Sequence, residues 1–190
     1  RSNWVDTKKN IQTKNKNLIN TIVSVGRIEN QKNYELIIRS IKGTNYELDI
    51  YGEGSLKNEL KKLSQELNVT VNFLGIVNNE TLVEKLQNYK FYISSSVYEG
   101  NPKSVLEAMS AGCIVIASKI KNHLEFLNNN NSILFDNNIT SLNEAIMHLD
   151  KISQTRNDDL VNNSLETINN KYNLNDLVKK EIKDINNLVM

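Results

Sequence analysis

Short apolar runs alternate along this chain with amphipathic segments, and glycine or polar residues separate them. The run Leu18–Val25 is rich in β-branched residues, which is typical of a strand buried on both faces of a parallel sheet. Five more runs predict strands, at residues 47–51, 69–74, 91–94, 114–117 and 133–135. Apolar residues at helical spacing predict helices around residues 36–41, 55–67, 80–86, 102–112, 123–127 and 141–149, and further helices near 158–170 and 175–189.

This alternation of strand and helix predicts an α/β fold. Its form should be a doubly wound, mostly parallel, Rossmann-like sheet of about six strands, followed by C-terminal helices. Ser141 and Glu144 have the spacing of a capping box and predict the start of one helix.

Composition narrows the classes of function. The net charge is +1 over 190 residues, with acids and bases interspersed, which argues against nucleic acid as the main partner and against a basic membrane anchor. Cys113 is the single cysteine, so an intrachain disulfide is excluded, and its apolar setting predicts a core residue. No apolar run is long enough to span a membrane and no signal peptide opens the chain, so we expect a cytoplasmic domain.

Glycines follow four of the predicted strands, at positions 26, 52, 75 and 100. The carboxyl ends of parallel strands form one rim, where open α/β sheets bind ligands. Arg27 and Lys32 come directly after the first of these turns. A planar guanidinium fork and a flexible ammonium group suit a diphosphate, although a surface arginine and lysine are the structural alternative.

The segment YEGNPKSVLEAMSAG, residues 98–112, combines a polar loop with the start of a helix at about Pro102. Backbone N–H groups in the first turn of such a helix favour an anion. Glu99 and Glu107 would repel a phosphate, so neutral hydroxyls of a sugar or a ribose are their expected partners. The alternative is that Glu99 flanks a turn and that Glu107 is a solvated helix former.

This segment resembles the donor-site pattern of retaining, nucleotide-sugar-dependent glycosyltransferases of the GT-B fold, family four, which includes glycogen-synthase-like and bacterial polysaccharide enzymes. The pattern appears here as E-GNPKSVL-E-AMSAG, and V-G-R followed five residues later by Lys32 matches a second family motif. The resemblance implies that Arg27 and Lys32 hold the donor diphosphate, that Glu107 binds the ribose and that Glu99 binds the transferred sugar.

The resemblance also implies a full set of site residues. Arg27, Lys32 and Glu99 are the catalytic group, and the donor-binding group is Gly26, Gly52, Gly75, Ile76, Gly100, Asn101, Pro102, Lys103, Ser104 and Glu107. The backbone of Ile76 is expected to lie against the nucleobase. Glu125 in K-N-H-L-E matches a family glutamate, but the neighbouring family glycines are replaced. His123 is predicted to be a surface residue, with contact to donor or acceptor as the alternative.

Residues 3–6, NWVD, are similar to the loop that leaves the first domain of the family, with Trp4 in place of glycine. We therefore expect residues 1–17 to be a linker from a preceding N-terminal domain, 18–150 to be the nucleotide-sugar-binding domain and 151–190 to be helices that pack on it or on the preceding domain. On its own this half should bind donor weakly and transfer nothing.

The expected function is the donor-binding half of a retaining transferase that moves a sugar, from UDP in particular, to a saccharide or lipid-linked glycan, as in polysaccharide or cell-surface glycan synthesis. No metal or cofactor is expected, because no Asp-x-Asp motif is present and cationic side chains can neutralise the diphosphate. Membrane contact is expected only through the N-terminal domain, at the inner face. One alternative is a non-catalytic nucleotide-binding module, and another is a GT-B sugar-nucleotide epimerase, whose site is richer in histidine.

Overall fold

The computed structural model describes residue 16 and residues 18–172. Six strands lie in this part of the chain, at β1 Leu18–Val25, β2 Glu47–Tyr51, β3 Val71–Gly75, β4 Tyr89–Ser94, β5 Ile114–Ser118 and β6 Ile133–Phe135. Its α-helices are α1 Tyr34–Ser40, α2 Lys57–Leu67, α3 Asn79–Leu86, α4 Lys103–Ser110, α5 Lys121–Leu124, α6 Ile139–Met147 and α7 Gln154–Lys171. Short 3₁₀ helices occupy Asn30–Lys32 and Leu149–Lys151.

The six strands form one sheet in the order β3-β2-β1-β4-β5-β6, and every neighbouring pair is parallel. The predicted Rossmann-like α/β fold is therefore confirmed. The chain first builds the sheet outward from β1 to β3 and then returns to place β4 on the other side of β1. This reversal is the switch point beside which open α/β sheets bind their ligands, so the carboxyl ends of β1 and β4 position the site.

Hydrophobic cores cover both faces of the sheet. Ile22 of β1 belongs to one core cluster and the next residue, Val23, to the other, as the two-residue period of a strand requires. Helices α1, α2 and α6 contribute to the first cluster and α3 and α4 to the second, whereas α7 contributes Leu160 to the first and Ile168 to the second. Cys113 is fully buried in the second cluster, as predicted.

The starts of two helices differ from the sequence prediction. Helix α6 begins at Ile139 because the side chain of Asn138 accepts a hydrogen bond from the Ser141 N–H, so Asn138 is the cap and Ser141 lies in the first turn. The prediction of a capping box that starts at Ser141 is therefore wrong. Helix α7 begins four residues before the predicted start at 158, because the hydroxyl of Ser153 caps it.

The predicted helix at 175–189 and the linker before residue 16 lie outside the described residues. Within the described part, α7 packs against α4 and β5. None of the helices there is both long enough and apolar enough to cross a membrane.

Candidate donor site at the carboxyl rim

Three of the predicted glycine turns pack directly against one another at the carboxyl ends of β1, β2 and β3. The Gly26 N–H donates to the Tyr51 carbonyl at 3.0 Å, and the Gly52 N–H donates to the Gly75 carbonyl at 2.8 Å. A Cβ on Gly52 would lie 1.9 Å from the Gly26 carbonyl oxygen. Glycine is thus required at position 52 by close backbone approach. Gly100 differs, because it is exposed and a Cβ there would meet no atom within 4 Å.

Hydrogen bonds join the loop that follows β1 to the loop that follows β4. The Ser95 hydroxyl donates to the carbonyl oxygens of Lys32 and Asn33, at 2.7 and 2.9 Å. The Val97 N–H donates to the Gln31 carbonyl at 3.0 Å, and the Gln31 side-chain amide donates to the Tyr98 carbonyl at 2.9 Å. These bonds bring the V-G-R-x₄-K motif and the E-x₇-E motif together at the switch point.

The contact between the two motifs is an ion pair of Lys32 with Glu99. Lys32 Nζ lies 2.5 Å from Glu99 Oε1, and the side chains are 16% and 4% exposed. The Ser96 hydroxyl donates to the same oxygen at 2.6 Å. Glu99 is therefore a buried carboxylate with two polar partners, Lys32 and Ser96.

Glu107 is also buried, with only 4% of the residue exposed. Burial raises the pKa of its carboxyl, and the nearby Lys103 ammonium partly opposes that rise. Lys103 Nζ lies 3.5 Å from Glu107 Oε1, which is longer than a normal charged hydrogen bond. The alternative of a solvated helix former is thus wrong, because Glu107 is buried in α4, where all residues from 105 to 110 are buried.

Helix α4 begins one residue after Pro102, close to the predicted start. No side chain caps this end of the helix, and the Val105 N–H donates to the Pro102 carbonyl at 3.0 Å. Pro102 is buried, whereas Asn101 and Lys103 are exposed. The hydroxyl of Ser104 accepts a hydrogen bond from Tyr92 at 3.0 Å.

Arg27 and Ile76 both lie on the solvent side of this rim. Arg27 is the second residue after β1, next to Gly26, and is exposed. Ile76 directly follows β3, and 78% of it is exposed, so its backbone is accessible. The structure therefore leaves both residues open to a ligand at the carboxyl rim.

His123 is completely buried, so its prediction as a surface residue is wrong. Its Nδ1 lies 2.9 Å from the Ser118 carbonyl, to which it donates, and this leaves the lone pair of a neutral ring on Nε2. The pKa of His123 is lowered, and burial of the ring is the largest cause. His123 lies in the short helix α5, which begins three residues after the end of β5, and it is the buried residue of that helix.

Ser96 and Ser118 connect this histidine to Glu99, and the sequence analysis missed both serines. The Ser118 hydroxyl donates to the Ser96 carbonyl at 2.7 Å, and Ser96 holds Glu99. Both serines lie at or just beyond the carboxyl ends of β4 and β5 and are fully buried. Polar residues at the end of an otherwise apolar parallel strand were the signal that could have identified them.

The described residues also form a polar groove of about 210 Å³ at the amino ends of β2 and β3, lined by residues from 41–47 and 68–70. Glu47 is the only charged side chain in that lining, and none of the motif residues reaches it. It offers no cation for a phosphate. Among the residues that the structure describes, no group of three or more His, Cys, Asp or Glu side chains could hold a metal ion.

Comparison with known proteins supports the resemblance. Residues 6–166 match the family model described as "Glycosyl transferases group 1". The chain therefore belongs to this family, and it corresponds to the C-terminal domain of the GT-B fold. A crystal structure of the C-terminal domain of a group 1 glycosyl transferase from Francisella tularensis superposes with a TM-score of 0.75, over 90% of this chain and 99% of that one, at 18% identity.

Two further proteins are more similar to this chain in sequence than the Francisella domain is. A 4-alpha-N-acetylgalactosaminyltransferase from Campylobacter jejuni, named for a diphospho-undecaprenol substrate, is 36% identical over 104 residues, which are 53% of this chain and 28% of the relative. A variant of S. aureus TarM crystallised with fondaparinux, alpha-GlcNAc-glycerol and UDP has a TM-score of 0.79 and 27% identity, over 96% of this chain and 38% of that one. The chain thus spans well under half the length of either protein.

Proposed function

We propose that this chain is the donor-binding half of a retaining glycosyltransferase that uses a nucleoside-diphosphate sugar, with UDP as the nucleotide. The observation that carries the proposal is the 2.5 Å contact of Lys32 with Glu99, residues 67 positions apart, which unites the two family motifs at the switch point of the sheet. The presence of UDP in the TarM crystal structure supports the choice of nucleotide.

The cations have the role of neutralising the diphosphate. As the sugar acquires oxocarbenium character, negative charge grows on the departing diphosphate, and Arg27, Lys32 and the N-terminal end of α4 would stabilise it. In comparable sites the loss of one such group lowers the rate by about 10²–10³. No side chain is assigned as a covalent nucleophile.

The carboxylates have the role of recognising hydroxyl groups. Glu107 is buried with a carboxylate oxygen that has no short partner, so ribose hydroxyls that donate to it would satisfy it. Glu99 is held by Ser96 at the rim and is assigned to the transferred sugar. The donor-binding set is completed by Gly26, Gly52, Gly75, Ile76, Gly100, Asn101, Pro102, Lys103 and Ser104.

The acceptor belongs to a preceding N-terminal domain in this proposal. The Campylobacter relative, whose name includes a lipid-linked diphosphate, favours a lipid-linked glycan or another saccharide as acceptor. Transfer requires that both substrates be held together and that water be excluded by closure of the two halves. This chain alone should therefore bind donor without transferring sugar.

A non-catalytic nucleotide-binding module of the same fold is the second candidate. It would bind the nucleotide equally well, so it differs only in turnover by the longer protein. Retention of Arg27, Lys32, Glu99 and Glu107 favours an enzyme. An epimerase site richer in histidine is not favoured, because His123 is enclosed in the core whereas His148 is exposed on α6.

Calorimetric titration of the chain with UDP, GDP and ADP tests the proposal. UDP should bind most tightly, and Arg27→Ala and Glu107→Ala should each weaken it about tenfold or more. Arg39→Ala is the matched control, because Arg39 pairs with Glu35 on the exposed face of α1. Failure of a folded chain to bind any of the three nucleotides would contradict the proposal.

A further inference from the structure

The ion pair of Lys32 with Glu99 has a consequence for how the donor is recognised. Two groups with different ligands in the proposed function, the diphosphate for Lys32 and the sugar for Glu99, are bonded to each other at 2.5 Å. A diphosphate that draws the Lys32 ammonium group toward itself therefore weakens the contact of that group with Glu99, even though the group has three N–H donors.

The side chain of Glu99 is not free to move into solvent. Only 7% of the residue is exposed, and the Ser96 hydroxyl holds its Oε1 at 2.6 Å. Ser96 is itself fixed by the Ser118 hydroxyl, which donates to its carbonyl at 2.7 Å. The carboxylate end of the pair is the rigid end.

Lys32 is the end that can move. Its backbone is held by Ser95, but its side chain is a flexible four-carbon stem that lies over the Gly26 turn, where a Cβ on Gly26 would be 2.7 Å from Lys32 Cε. The ammonium group can thus turn from Glu99 toward a phosphate above the turn while the backbone stays in place.

When the ammonium group of Lys32 turns toward the diphosphate, the buried carboxylate of Glu99 keeps the Ser96 hydroxyl as its described partner. A buried charge without a compensating opposite charge is strongly unfavourable. A hydroxyl of the transferred sugar can donate to Glu99 and offset this loss, whereas a nucleoside diphosphate without sugar cannot. We propose that the Lys32–Glu99 pair makes this site select the intact sugar donor over the nucleoside diphosphate product. This inference rests on the proposed function of the site.

The test compares the affinities for UDP and for a UDP-sugar, UDP-N-acetylglucosamine, by calorimetry on the wild-type chain and on Glu99→Gln. The wild type should bind the UDP-sugar more tightly than UDP. Glu99→Gln frees Lys32, so it should bind UDP roughly tenfold more tightly than the wild type does and should lose most of the preference for the sugar. Loss of a nearby negative charge alone would tighten the binding of both ligands, and loss of a sugar contact alone would weaken the binding of the UDP-sugar and leave that of UDP unchanged.

Glu35→Gln is the matched control for charge, since Glu35 is exposed, lies three residues beyond Lys32 and pairs with Arg39. It should leave both affinities unchanged. Glu99→Asp provides a second variant in case Glu99→Gln fails to fold, because its shorter side chain lengthens the contact with Lys32 and should also tighten UDP.

Unchanged or weaker UDP binding by folded Glu99→Gln would overturn the inference. If UDP binding by the wild type is still weakened by Arg27→Ala, the proposed function survives that result. Absence of nucleotide binding by the wild type would instead overturn the proposed function and this inference with it.

Discussion

Gly52 packs its α-carbon against the carbonyl group of Gly26, so closely that a Cβ at position 52 would lie 1.9 Å from the carbonyl oxygen. The two glycines follow neighbouring parallel strands, β2 and β1, and both have positive φ angles, of 155° and 156°. The backbone beneath the proposed diphosphate site is therefore formed by turns that touch each other without side chains between them.

Gly52→Ala should destabilise the chain by ~3 kcal/mol, because the methyl group cannot be accommodated without separating the two turns and because the backbone conformation is strained for alanine. Denaturant unfolding measures the loss. Gly100→Ala is the control, since a Cβ there meets no atom within 4 Å, and its stability should be within about 0.5 kcal/mol of the wild type. Equal stability of the two variants would contradict the packing described here.

Glu107→Gln should stabilise the protein while it weakens nucleotide binding. Burial raises the pKa of this carboxyl from 4.5, so its contribution is favourable below that pH and is lost as the pH rises through the folded-state pKa. Removal of the charge should therefore raise the midpoint of thermal unfolding at pH 7, by about 2–4 °C. The gain should vanish below about pH 4.5, whereas a gain that is independent of pH would refute the electrostatic explanation.

His123 should make the protein less stable in mild acid. Burial lowers its pKa from 6.5, so the neutral ring is favoured in the folded state, and its contribution is present above pH 6.5 and is lost as the pH falls toward the lower folded-state pKa. The unfolding free energy of the wild type should fall by up to about 1.4 kcal/mol per pH unit more than that of His123→Asn. His148→Asn, at the exposed position that follows α6, removes the other histidine and is the comparison variant.

Nucleotide binding should not depend on a divalent metal. Lys32 and Arg27 lie at the rim as cations that can neutralise a diphosphate without one. The dissociation constant for UDP should therefore be the same, within about twofold, in excess EDTA and in excess Mg²⁺ or Mn²⁺. Binding that disappears in EDTA and returns with metal would show that the cations alone are insufficient.

Sequence patterns were sufficient for the sheet because its central strands β4 and β5 and the second half of β1 are almost entirely buried and therefore appear as apolar runs. The glycines that follow the strands were sufficient to predict a ligand rim at the carboxyl ends of the strands. The strand order, with β4 beside β1, was not predicted and is given by the structure. Glu99 and Glu107 were recognised because their spacing is local, within one loop and one helix.

Residues that depend on contacts between distant segments were harder to predict. Nothing local in K-N-H-L-E shows that His123 points inward, because its partner is the Ser118 carbonyl at the end of β5. Ser96 similarly resembled an ordinary loop serine until the fold placed its hydroxyl on Glu99. The cap of α6 was misplaced because Asn138 and Ser141 are both good caps, and only the geometry of the turn distinguishes them.

A crystal structure of the chain with bound UDP tests the central claim most directly. We expect the diphosphate at the carboxyl rim, within hydrogen-bond distance of Lys32 and of the first amides of α4, with the ribose on Glu107 and with Lys32 turned away from Glu99. UDP bound elsewhere, such as in the groove that residues 41–47 and 68–70 form at the amino ends of β2 and β3, would contradict the proposed donor site.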